Sequence, residues 1–158
     1  MTDGYVMRSG YPERVVVARM RPGSDLLLSL QGIAEREGIA AGVILSGVGL
    51  LCEARLRNCK SLPGELPITD ENRAFLSFRR PLEIVSLTGN IAMAEGRPLV
   101  HAHVTLSYVQ EGGIGVMGGH LIEGCTVFGF AEVSIIELEG VEMVKRFDEE
   151  TKTLQLFA

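Results

Sequence analysis

Apolar runs rich in β-branched residues recur along nearly the whole chain, each interrupted by glycine, and only one stretch keeps a helical period. That rhythm commits the chain to an α+β fold dominated by a largely antiparallel sheet. Arg14–Met20 reads as a strand, with Val15, Val16 and Val17 in sequence after Pro12. Arg21-Pro-Gly-Ser-Asp25 then opens the helix, with Ser24 as the expected N-cap and Asp25 favoured by the helix dipole. Leu26, Leu30, Ile33 and Glu37 share one stripe, and Gly38 supplies a left-handed stop. Ala41–Leu51 and Cys52–Asn58 read as two strands, as do Ala74–Arg79 and Leu82–Ala94. Between the pairs, Lys60–Arg73 carries two prolines and a polar run and is expected on the surface. Val100–Val109 and Thr126–Leu138 are further strands, separated by a loop at Gln110–Gly113. Val144–Phe147 and Leu154–Phe157 are expected to close a hairpin around Asp148–Glu150. With 158 residues the chain reads as one domain, its core over about 14–138 and its hairpin over 141–158.

The totals exclude more than they name. A net charge of −5 argues against a chain built to neutralise phosphates, and its basic residues are scattered without interleaved aromatics. Mean hydropathy is +0.23, yet no apolar run approaches the ~20 residues of a membrane helix, so the surplus is expected to lie between subunits. Met1–Gly10 has neither a basic start nor an apolar stretch, so no secretory signal is read there. Cys52, Cys59 and Cys125 form no CxxC pair and read as reduced thiols, which places the chain in a cytoplasm.

All three histidines, His101, His103 and His120, fall within twenty residues. In a strand, His101-Ala-His-Val-Thr-Leu-Ser-Tyr108 turns Ala102, Val104, Leu106 and Tyr108 to the core and His101, His103, Thr105 and Ser107 outward. Two imidazoles one alternation apart, roughly 6.6 Å along the strand, converge on one metal ion if a third ligand arrives from elsewhere. His120 follows Gly118-Gly119, whose missing side chains allow close approach of another strand. Three imidazoles suit Zn²⁺, Ni²⁺ or Fe²⁺ and leave a coordination position open. The competing reading is of ordinary histidines on a half-exposed sheet face.

Glu83 and Glu132, each inside an apolar strand, are the candidate acid/base residues. A buried carboxylate needs a partner, and Arg57, a metal-site histidine or a neighbouring subunit could supply it. Glu123 reads as either a ligand-orienting or a solvated residue, and Cys52 and Cys125 as small hydrophobes. Gly112–Gly119 lacks both GxGxxG and the Walker lysine, so it is read as close backbone packing rather than a phosphate loop.

Five segments in order resemble the PPC (plants and prokaryotes conserved) domain family. They are Arg21-Pro-Gly-Ser-Asp-Leu26, Gly42-Val-Ile-Leu-Ser-Gly-Val-Gly49, Leu82-Glu-Ile-Val-Ser-Leu-Thr-Gly89, His101-Ala-His-Val104 and Gly118-Gly-His-Leu121. The resemblance runs from about Arg14 to Leu138. It implies an α+β homotrimer with a largely antiparallel sheet of about seven strands and a few flanking helices, and a fold similar to acetolactate decarboxylase. It also implies, as in stand-alone prokaryotic members, a metal held by the positions that are here His101, His103 and His120. Plant members carry AT-hook DNA-binding motifs; this sequence has no Arg-Gly-Arg-Pro core, so direct DNA binding is not expected. The expected function is a cytoplasmic, trimeric, zinc-binding regulatory or binding module, with no membrane association and a possible small-molecule ligand at the metal. The alternative is a metal-dependent lyase or hydrolase acting on a small oxygenated substrate, with Glu83 or Glu132 as acid/base.

Overall fold

The computed structural model describes residues 4–157. Its order is β1 (Tyr11–Met20), α1 (Leu26–Glu37), β2 (Ala41–Cys59), β3 (Arg73–Ala94), β4 (Arg97–Gln110), β5 (Gly113–Leu121), β6 (Thr126–Glu139), β7 (Lys145–Asp148) and β8 (Thr153–Leu156). A single-turn 3₁₀ helix at Asp70–Asn72 precedes β3. Among the described residues there is one α-helix rather than a few, and eight strands rather than about seven. The glycine-rich stretch is itself a strand, β5.

Six strands form an antiparallel sheet in the order β1-β6-β2-β3-β4-β5, and β7-β8 form a separate hairpin. An additional β2–β5 pairing, Leu56 opposite Leu121 and Arg57 opposite His120, closes β2, β3, β4 and β5 into a ring. The two expected breaks, at Leu51/Cys52 and at Arg79–Leu82, do not end strands. They mark one shared irregularity, where the β2–β3 register slips between Leu51/Leu82 and Glu53/Arg79. Pro81 lacks an N–H for the ladder and sits within it, where a bulge tolerates proline and increases the bend. Each long strand can therefore serve a sheet at one end and the ring at the other.

The core fills the inside of this bent sheet. Leu51, Leu56, Leu82, Leu87, Ile91, Leu106 and Leu121 are buried together with Leu26, Leu30 and Ala34 of the helix. On β4 the alternation holds: Ala102, Val104 and Leu106 are buried, Tyr108 is half-buried, and His101, His103, Thr105 and Ser107 face outward.

Asp25, not Ser24, caps α1. Its Oδ1 accepts from Leu28 N–H at 2.9 Å, whereas the Ser24 hydroxyl donates back to Arg21 O. Asp25 Oδ2 also accepts from the N–H groups of Gly124 (2.7 Å) and Cys125 (3.1 Å), so one carboxylate ties the helix to the β5–β6 turn. Gly38 ends the helix at φ 70°, a conformation glycine adopts without a Cβ penalty. Asp25→Ala removes the cap and strands two turn N–H groups, so it is expected to cost about 1–3 kcal/mol in urea denaturation. Ser24→Ala, by contrast, should change stability by less than ~0.5 kcal/mol.

Candidate metal centre

The outer face of the ring carries the histidines. Their placement follows from alternation on two paired strands. His103 of β4 lies directly opposite His120 of β5, and His101 precedes His103 on the same face. The ring centroids stand 5.4 Å (His101–His103), 5.0 Å (His101–His120) and 5.1 Å (His103–His120) apart. One nitrogen from each lies within 4.8 Å of the others, the one such metal-competent grouping among the described residues.

Two local devices hold this arrangement. The Gln31 side chain on α1 donates to Pro98 O and accepts from Val100 N–H, fixing the chain that delivers His101. Next to His120, a Cβ on Gly119 would collide with the Asn58 amide, which itself donates to Gly118 O at 3.0 Å. Gly119 therefore lets β2 and β5 come together at the histidines, while a Cβ on Gly118 would meet Val104 O of β4.

His101 and His120 are kept neutral. Burial, then the charges of Lys145, His103 and Arg57, lower His101 from its ordinary range. Burial, then Arg57, His101, His103 and Lys145, lower His120 to about 4. A neutral imidazole keeps the lone pair that a metal requires. Three nitrogen donors with no carboxylate among them fit a borderline-soft divalent ion such as Zn²⁺.

Two adjoining clefts, of about 540 and 550 Å³, open onto the cluster and share Arg57, Arg73, His120, Leu154 and Gln155. Hairpin β7–β8 forms one wall, bringing Lys145 against His101 and His120. The hairpin is anchored by a Met93–Val144 bridge to β3 and by packing of Leu156 and Phe157 against Ala41, Ala92 and Met143.

Glu83 and Glu132 are not buried and do not meet the histidines. Both are exposed. Glu83 lines a separate cleft with Arg80 and Tyr108, and Glu132 lies opposite Arg19 and Val48. Within an apolar strand, alternation puts every second side chain outside, which removes the premise that either needs a buried partner. Glu123 is also exposed. Cys125 is buried, its thiol pushed up to about 11 by burial, as expected of a small hydrophobe. Cys52 differs: it is exposed. Sequence reasoning passed over Arg73, Lys145 and Asn90, and treated Arg57 only as a partner for a carboxylate.

The model of the Plants and Prokaryotes Conserved (PCC) domain, also abbreviated PPC, matches residues 7–139. The chain belongs to that family. A metal-containing protein from Archaeoglobus fulgidus shares its fold at 26% identity, covering 98% of this chain and 100% of that one with a TM-score of 0.77. A PPC protein from Pyrococcus horikoshii matches at 28% identity, over 95% and 96% of the two chains, with a TM-score of 0.75. The bifunctional protein GlmU of a Synechococcus strain is 31% identical over 143 residues, 90% of this chain. The chain spans about one fifth of the length of that curated relative. No helix among the described residues is long and apolar enough to cross a membrane.

Proposed function

We propose that this PCC-domain chain is a metal-binding module that holds one divalent transition metal, zinc foremost, through His101, His103 and His120, and that it works as a homotrimer. The observation that carries the reading is the convergence of three imidazoles from two strands, with one nitrogen of each within 4.8 Å of the others. The Archaeoglobus fulgidus relative is described as metal-containing, which supports the same reading. Bound there, the metal would supply a Lewis acid and an open coordination position. The trimer is supported by the apolar side chains left outside: Val43, Leu45, Val48 and Val85, with Phe128 and Phe130 at 59% and 47% exposure. Large apolar side chains left exposed on neighbouring strands β6, β2 and β3 are characteristic of a protein-contact surface.

A binding or regulatory role fits better than catalysis by the two glutamates, because the clefts beside the histidines contain no acidic side chain to move a proton. Elemental analysis of tag-free protein, with mass by light scattering, tests the proposal. About one metal per chain in a particle of three chains is expected, with the metal lost in the His101→Ala/His103→Ala variant. A folded protein that takes up no metal when zinc is supplied would end the metal reading, and a monomeric mass would end the trimeric one.

A further inference from the structure

We propose that Arg57, Arg73 and Lys145 form an anion subsite against the three histidines, and that its ligand is a small organic molecule bearing carboxylate. The inference rests on the metal reading above and names the ligand class of that site.

Charge is the first argument. The chain has 20 acidic and 15 basic residues, yet the two clefts hold three cations and no Asp or Glu. Local sign is thus opposite to that of the whole protein. Arg73 reaches Asp70 at 2.9 Å, but among the described residues Arg57 and Lys145 form no ion pair. Both are half-buried. Removing unpaired cations from water is costly, and doing so beside a neutral donor set that takes a divalent cation costs more. An anion at the open face relieves both at once.

Placement is the second argument. Arg57 lies directly opposite His120 across the ring closure, so its guanidinium is held at the histidines by strand register rather than by a loop. A planar fork of that kind suits bidentate binding of a carboxylate, while Lys145 adds a compact point charge from the other side. Leu99, Leu154 and Leu156 supply apolar wall, and the cleft volumes suit a small molecule. Lys145 and Gln155 come from the hairpin beyond residue 139, outside the segment matched to the family.

Calorimetric titration with succinate, with neutral succinamide and inorganic phosphate as comparison probes, tests the subsite on metal-loaded and metal-stripped protein. Succinate is expected to bind the loaded protein in the millimolar range or tighter, and succinamide not to bind. Arg57→Gln and Lys145→Gln should each weaken succinate at least tenfold while leaving one metal per chain. Lys145→Gln, lying on the hairpin, keeps the test valid if Arg57→Gln does not fold. Metal retained without succinate binding overturns the subsite and leaves the metal reading standing. Succinate bound by a protein that takes no metal overturns the metal reading alone. Phosphate binding without succinate binding overturns the assignment to carboxylates, and binding unchanged in both variants overturns the assignment to these residues.

Discussion

Zinc added to the metal-free protein is expected to raise its thermal midpoint by about 10 °C, and His120→Ala to abolish that rise. The size follows from mass action: a ligand at a thousand times its dissociation constant adds about 4 kcal/mol, and each kcal/mol moves a domain of this size by about 2–4 °C. The residue follows from the geometry. His101 and His103 share one strand, so a metal held by them alone ties β4 only to itself. His120 is the donor from β5, and its loss removes the cross-strand link on which the stabilisation depends. Scans at fixed protein concentration decide it, since assembly also moves the midpoint. A variant that still rises by as much as the parent would mean that zinc binds elsewhere.

Leu56→Ala is expected to lower stability by about 2–5 kcal/mol in urea and to weaken the proposed metal binding as well. Leu56 is 2% exposed and lies opposite Leu121, which is 1% exposed, at the place where β2 meets β5 to close the ring. That pairing has only two register partners, so its apolar contact holds much of the closure. The second partner pair is Arg57 and His120, which makes a collapse at Leu56 a displacement of the site itself. Leu154→Ala, at an exposed position on the cleft wall, should cost less than ~1 kcal/mol and serves as the comparison. A loss at Leu56 no larger than that, with metal binding unchanged, would show that the closure is not what holds the histidines in place.

The features legible in the sequence were those carried by neighbours along the chain. Strict alternation from His101 to Tyr108 fixed which side chains face outward, and Gly118-Gly119 marked the close approach that brings His120 to the same face. The helix stripe and its glycine stop were likewise local. The cap was misplaced by one residue because Ser24 and Asp25 are both good capping types. What selects Asp25 is its second oxygen on the Gly124–Cys125 turn, a contact across about a hundred residues. The glutamates misled for a related reason: an apolar strand names a half-buried segment, not which of its residues face in. Arg57 and Lys145 gave no local signal at all. Their meeting at the histidines depends on the β2–β5 closure and on the folding-back of the hairpin, both set by tertiary packing.

The strand order also separates pairings between sequence neighbours from pairings between distant segments. β2, β3, β4 and β5 follow one another in sequence and pair with their immediate neighbours, so each turn can form before the next strand is needed. β1 has no such neighbour: Tyr11 must find Glu139, at the other end of the sheet-forming chain. Loop-closure entropy makes that search slow, and rates in the millisecond-to-second range are usual for topologies of this kind. The three imidazoles lie wholly within the sequence-local part. Their convergence therefore asks nothing of the chain's ends, and an ion bound there would not have to wait for them.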